Sequence, residues 1–432
     1  MADLTRRRLL AAGALSLAAP SVLAACGADR PERPDRQAQD GRPHGEVSVW
    51  LHGSQETGPQ FEKLVHRYID EFGVDVKLLY LPVAQLDAKL LTAFSGGTPP
   101  DVFKIGHWSF PSHAGKERLA PIDPRAFGAP DVATVLGRYE PGTVAPLSYR
   151  GQAYGVPIDL NPAMLYYRRD RFEEAGLDPD KPPTTWEEVA DHSKRLTSAD
   201  GRRVGLQWLY GDPQWALMTL TALIKGGGGE LVSADGTRAS LDTEHGIRAL
   251  EYFAGIGNPK LSNPLGALGL FYSGEAAMVV SGAFLGPALE RLGEDTLKPG
   301  KDYGVAPMPR WEGGRAVVPA YTWGWGVAAA SKNGFTAWHL INYLQGRESV
   351  TANLENGIVI PATGWRDAGP RGTSELMGIA ASGIPDADFG PAIPAALELA
   401  KAASSACDAV AHGRSTPARA AKDFDATVRL AL

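Results

Sequence analysis

The 432 residues are enough for two domains or one large one, which excludes a peptide or a minimal binding module. Hydrophobic residues make up 44% of the chain and charged residues 21%, with 50 glycines and 33 prolines, the composition of a turn-rich α/β protein and not of a disordered or fibrous one. The formal net charge is −6; Asp3 and Arg6 to Arg8 give the first 25 residues +2, so the remainder carries −8, which argues against a general nucleic-acid binder.

The chain opens with a basic stretch ending at Arg8, an apolar run from Leu9 to Ala19 and then small residues, the order of an export signal. Eleven apolar residues are too few to span a bilayer, so residues 1–25 read as a cleaved signal peptide. Thr5-Arg6-Arg7-Arg8-Leu9-Leu10 resembles a twin-arginine signal, with an arginine-rich Sec signal as the alternative. Leu23-Ala24-Ala25-Cys26-Gly27 resembles a bacterial lipobox, which makes Cys26 the lipidation site. Residues 26–44 are polar and proline-rich and form a lipid-anchored flexible tether. With Cys26 lipidated, Cys407 has no partner within the chain; among alanines in a helical stretch it is expected as a small buried hydrophobe.

Beyond the tether the pattern alternates. Val47 to Leu51 reads as a strand, and Phe61, Leu64, Val65, Tyr68, Ile69 and Phe72 share one helical face that ends at Gly73. Val74 to Tyr80 is a second strand, Leu86, Leu90, Leu91 and Phe94 mark a second helix, and Asp101 to Ile105 is a third strand. This βαβαβ order predicts a doubly wound parallel sheet, with a ligand beyond the carboxyl ends of its strands. Further on, Thr185-Trp186-Glu187-Glu188 is a capping box, and Asp242 is placed to cap a helix carrying Ile247, Leu250 and Ala254. Two tail helices, about 394–411 and 417–430, are separated by Gly413, with Thr416 placed to cap the second.

Catalytic and metal signatures are missing from the sequence: there is no HExxH, GxSxG, P-loop or pair of CxxC motifs, and His107 and His113 alone are a weak basis for a metal site. Gly226 to Gly229 reads as a helix stop. Tryptophans instead gather near turn residues: Trp108, then Trp208, Tyr210 and Trp215 around Gly211-Asp212-Pro213, then Tyr321, Trp323 and Trp325 interleaved with Gly324 and Gly326, then Trp365. A sugar offers apolar C–H faces and a rim of hydroxyls, so aromatic plates beside carboxylates and amides suit it.

Three segments carry a family resemblance: Gly151-Gln152-Ala153-Tyr154-Gly155-Val156-Pro157, Leu165 to Leu177 (LYYRRDRFEEAGL), and Pro182 to Glu188 (PPTTWEE). With Gly97-Thr98-Pro99-Pro100-Asp101-Val102, Phe271 to Met278, Ser281-Gly282, Gly304 to Pro309, Ser331-Lys332-Asn333 and Gly413 to Pro417, the sequence resembles family 1 extracellular solute-binding proteins, the sugar-type receptors of ABC importers. Arg168-Arg169 stands where the family usually has Asn-Lys, and Trp323-Gly324-Trp325 where it usually has Gly-Gly. The resemblance implies an α/β, two-lobed periplasmic-binding-protein-like fold, each lobe a mainly parallel sheet flanked by helices, closing on ligand about a hinge. Lobe 1 is then 45–158 plus 308–354 and lobe 2 is 159–307 plus 355–432, with crossovers near Pro157 to Asn161, Ala306 to Pro309 and Asn356 to Pro361.

On that plan the protein is a lipid-anchored, monomeric receptor on the outer face of the bacterial cytoplasmic membrane. It delivers a mono- or oligosaccharide to ABC permease subunits, with no catalysis, cofactor, metal or nucleic acid. The expected ligand contacts are Ser54, Gln55, Glu56 and Trp108 from the first lobe, Asp159 and Asn161 at a crossover, Tyr210, Asp212, Trp215 and Phe284 from the second lobe, then Trp323, Trp325 and Arg366. The alternatives are a receptor for a polyol phosphate or polyamine and an exported carbohydrate-active enzyme, which needs two acids for turnover.

Overall fold

A computed structural model describes residues 41–52, 58–140, 142–256, 264–290, 297–356, 360–365, 374–429 and 431–432. Residues 1–40, with Cys26 and the expected signal and most of the tether, lie outside the described residues, all of which belong to one folded unit. No helix among the described residues is long and apolar enough to cross a membrane.

The first sheet begins as the hydrophobic periodicity predicts. Strand β1 (Glu46–His52) is followed by helix α1 (Gly58–Phe72), β2 (Asp75–Leu81), α2 (Val83–Ser95) and β3 (Val102–Gly106). β1 pairs in parallel with both β2 and β3, and its buried and half-buried residues alternate as a strand covered on one face requires. Gly73, at φ 67°, supplies the left-handed residue that stops α1. A short strand β4 (Gly155–Pro157) completes the edge of this sheet.

At Ile158 the chain leaves the first sheet and runs straight into β5 (Asp159–Arg168), all ten residues of which are buried. β5 is the spine of the second sheet. Helix α3 (Trp186–Leu196) precedes β6 (Val204–Gln207), α4 (Pro213–Gly226) and α5 (Glu244–Ile256) lead to β7 (Ala276–Gly282), and β8 (Tyr303–Ala306) and β9 (Val318–Tyr321) both pair with β5. The chain re-enters the first sheet as β10 (Trp323–Val327), then forms α6 (Gly334–Leu344). β11 (Ile360–Pro361) lies on β5 and β12 (Ala387–Asp388) on β9; α7 (Ala396–Ala411) and α8 (Pro417–Val428) close the chain. The orders are β2-β1-β3-β10-β4 and β12-β9-β5-β7-β6, with β8 and β11 also on β5. Among the described strands β10 runs against both its neighbours in the first sheet and β5 against all four of its partners in the second, so both sheets are mixed, where mainly parallel sheets were expected: a single reversed strand at the centre makes most pairings of the second sheet antiparallel.

Local chemistry explains several boundaries. Glu188 N–H donates to Thr185 Oγ1 at 3.1 Å while Thr185 N–H donates to Glu188 Oε2 at 3.2 Å, closing the capping box of α3. Thr416 caps α8 as its position predicts, through the Arg419 N–H at 3.3 Å. The helix expected to start from Asp242 is capped one residue later: Thr243 Oγ1 accepts from Gly246 N–H, because only Thr243 stands three residues before that donor. The second passage between sheets also differs from the expectation of Ala306 to Pro309. β8 and β9 lie on either side of those residues and both pair with β5, so the chain changes sheet only at Thr322. The Gly/Pro-rich stretch marks a turn within the second lobe, and strand pairing decides membership.

Candidate functional site

The two sheets meet where β4–β5, β9–β10 and the segment after β11 run side by side. Ile158 N–H donates to Trp323 O at 2.8 Å, and Ala362 N–H donates to Ile158 O at 3.0 Å. Thr322 Oγ1 donates to Asp159 O at 2.6 Å, and Trp323 N–H to the Asp159 carboxylate at 2.7 Å. Asp159 therefore takes the place of a backbone partner where neither sheet can supply one. His107, just past β3, completes the junction: its N–H donates to Thr322 O at 3.0 Å, and its Nε2 donates to Phe389 O at 2.7 Å.

Around this junction the carboxyl ends of β1 and β3 and the start of β10 present an aromatic corner. The Trp323 ring lies 4.0 Å from His52 and 5.3 Å from Trp108, at 71° to the latter. Lys104 Nζ sits 5.6 Å from the centre of the Trp323 ring. Trp108 can fold back over the strand end only because Gly106 has no side chain; a Cβ there would stand 2.2 Å from the Trp108 ring. The Trp108 indole and the Ser109 hydroxyl donate to Asp87 Oδ2 at 3.4 and 3.3 Å. His52, Lys104, Trp108 and Trp323 are half-buried, so this corner still meets solvent.

The second lobe contributes from the facing strand ends. Tyr321 packs edge-on to Trp215 at 6.0 Å, and the space above Gly282 is filled by Phe284 and Tyr321. Asp212 caps α4, accepting from Gln214 and Trp215 N–H at 3.0 and 3.1 Å. Asn161 is 0% exposed, and its Oδ1 and Nδ2 make no hydrogen bond of ordinary geometry, although the amide lies close enough to Asp159 to favour its ionised form. An unpaired buried amide on the spine strand is costly unless something supplies its partners.

Burial governs the charges. The Asp159 carboxyl is pushed up to about 6 by desolvation, against the pull of Lys104, the hydrogen bond from Trp323 and the nearby Asn161 amide. Lys104 is lowered by burial and partly restored by Asp159. His52 falls well below its ordinary value through burial and then Lys104, and His107 falls to about 4 through burial. Burial also raises Asp87 and Asp212.

Of the contacts expected from sequence, Trp108, Asp159, Asn161 and Trp323 gather at the junction, with Asp212, Trp215 and Phe284 grouped around Tyr321. Ser54, Gln55, Glu56 and Arg366 lie outside the described residues. Two expectations change. Trp325 is 4% exposed and stacks on Phe61 inside the first-lobe core, because two residues further along β10 the same face is covered by α1. The Tyr210 ring turns toward His412 at the end of α7, and Ser404 on that helix donates to the Tyr210 carbonyl, so this residue belongs to the second-lobe core. His52, Asp87, Lys104 and Tyr321 were not anticipated as contacts. For Lys104 there was a signal: it is the lone charged residue in the otherwise apolar strand Val102–Gly106. A cavity of about 350 Å³ in the second lobe, lined by Pro287, Tyr303, Leu354 and Leu376, shares no residue with the junction.

Comparison with known proteins agrees with this architecture. A Brucella abortus (strain 2308) chain named only as a binding protein is 25% identical over 380 residues, 86% of this chain and 89% of that one. The sn-glycerol-3-phosphate-binding periplasmic protein of the same organism is 31% identical over 186 residues, 41% of each chain. An ABC transporter solute-binding protein of Thermotoga lettingae, solved with α-D-tagatose bound, superposes with a TM-score of 0.78 at 21% identity, covering 89% of this chain and 99% of that one, a likeness of fold. The sequence profile of bacterial extracellular solute-binding proteins matches residues 53–351, well over half of the chain, and the protein belongs to that family.

Proposed function

We propose that the protein is the exported receptor of an ABC importer and that it captures a mono- or oligosaccharide at the junction of its lobes without chemical change. The observation that carries this reading is the aromatic corner of Trp108 and Trp323 standing beside Asp159 and the unpartnered amide of Asn161. The rings offer apolar faces to the C–H side of a pyranose or furanose, and the carboxylate and amide behind them carry the acceptors and donors that its hydroxyls need. Asp212, Trp215 and Phe284 face the same ligand from the second lobe. Ser54, Gln55, Glu56 and Arg366 are added to the set from the sequence alone. Contacts to both lobes exist together only when the lobes close, so ligand shifts the population toward the form a permease recognises.

Residues 1–25 serve as the export signal, Cys26 carries the lipid, and the tether, which ends before the buried Pro43 and not at His44, whose backbone N–H and carbonyl both bond the Thr336 hydroxyl, lets a monomer reach its permease from the outer face of the cytoplasmic membrane. A polyol phosphate is the competing ligand, favoured by the glycerol-phosphate-binding relative. The charges weigh against it: among the described residues at the junction, Asp87, Asp159 and Asp212 stand against Lys104 alone, a poor setting for a dianion.

A thermal-shift screen against D-tagatose, maltose, maltotriose and sn-glycerol 3-phosphate tests the reading. At ligand 100-fold above Kd, binding adds ~2.7 kcal/mol of stability, a readable rise in Tm. Stabilisation by a sugar that is recovered intact is the expected result. A shift with the phosphate alone overturns the saccharide assignment, and consumption of the sugar overturns the receptor assignment.

A further inference from the structure

Asp159 occupies a position with two duties. Its backbone and carboxylate tie Thr322 and Trp323 to β5 where the chain changes lobe, and the same carboxylate lies within electrostatic reach of the Lys104 ammonium on β3, beyond salt-bridge distance. Trp323 in turn carries the ring that forms one wall of the aromatic corner, with Lys104 against it. The backbone of the crossover, the wall and the cation at the floor thus share one acid.

We propose that Asp159 is the positioning residue of this site: its ionised carboxylate holds the Trp323 wall and the Lys104 ammonium in the arrangement that takes ligand, so that capture depends on the protonation of Asp159. This rests on the reading of the junction as the ligand site. In the ionised form the Trp323 N–H bond is charge-assisted and Lys104 is compensated. Protonation weakens the first and removes the charge that compensates the second, a half-buried cation.

The surroundings make Asp159 the group that titrates in the relevant range. Lys104 faces it from β3 and lowers it, Asn161 lies beside it on β5, and Tyr321 from β9 is held far above its ordinary value by burial and by Asp159 and Asp212. His52 from β1 and His107 beyond β3, the latter also feeling Asp388, are both depressed by burial and stay neutral from pH 5 to 8. Asp87, raised by burial, is held by Trp108 and Ser109. With the Asp159 midpoint near 6, roughly one molecule in ten is competent at pH 5, so Kd is about tenfold weaker there than at pH 8.

The test is calorimetric titration of the full protein with D-tagatose, maltose and maltotriose from pH 5 to 8, alongside Asp159→Asn and Lys104→Gln. The parent is expected to lose about tenfold in affinity toward pH 5, Asp159→Asn to bind weakly with a flat profile, and Lys104→Gln to show its midpoint at higher pH, since the cation that lowers Asp159 is gone. A flat parent profile, or an Asp159→Asn protein that keeps the parent slope, overturns the proposal. Should no sugar bind the parent at any pH, the ligand reading fails by itself. The ¹³Cγ shift of Asp159 then decides the present point: a midpoint near 6 that rises in Lys104→Gln supports it, and a midpoint in the ordinary carboxyl range overturns it.

Discussion

His107 and Phe389 join the lobes directly: Nε2 of the buried imidazole donates to the Phe389 carbonyl at 2.7 Å, across 282 positions of sequence. Nδ1 faces the Thr322 N–H at 3.4 Å, so the ring works as the neutral tautomer with its proton on Nε2.

This fixes a pH dependence of stability. The His107 folded-state value of about 4 lies below the ordinary 6.5, so the unfolded chain binds the proton more readily and stability is lost as pH falls from about 6.5 to 4, by about 3 kcal/mol in full. Asp159 runs the other way: its raised carboxyl contributes stability below its unfolded value that is lost as pH rises through about 6. Comparing His107→Gln with the parent by urea denaturation at pH 7 and pH 5 isolates the histidine. The variant is expected to lose ~2 kcal/mol less than the parent between the two; an equal loss refutes the assignment.

The two tryptophans of β10 part company under substitution. Trp325→Ala empties a packed site in the first-lobe core and is expected to cost ~3–5 kcal/mol in stability. Trp323→Ala removes a half-buried ring, so its larger effect falls on sugar affinity, read by calorimetry beside the melting curve. The reverse ranking would show that Trp325 is the ligand wall.

Thr185→Ala opens the capping box of α3. Loss of the Glu188 N–H acceptor is expected to cost ~1 kcal/mol and lower Tm by a few degrees, with sugar affinity unchanged because α3 lies away from the junction. A differential scanning trace settles it.

Cys407 is a buried free thiol, pushed far up by burial and then by Asp408. It is expected to resist 5,5′-dithiobis(2-nitrobenzoic acid) in the native protein and to react at once in denaturant. Rapid labelling of the folded protein would contradict its place in the core.

Local chemistry made much of the fold legible. The periodicity of Phe61 to Phe72, the alternation in β1, the capping box at Thr185 and the cap at Thr416 act within a few residues, so their signals lie in neighbouring positions. The family motifs were equally a matter of order along the chain. What only the tertiary structure decided is which residues share the junction. Trp323 and Trp325 flank the same Gly324 on one strand, yet one faces Lys104 and the other is sealed by Phe61. Asp159 was expected as a ligand contact at a crossover and is also the acid that replaces missing strand partners, because its carboxylate meets the N–H of a residue 164 positions away. Contacts of that reach depend on how two sheets cross, and burial, which sets the charges of Asp159, Lys104 and His107, exists only once they have crossed.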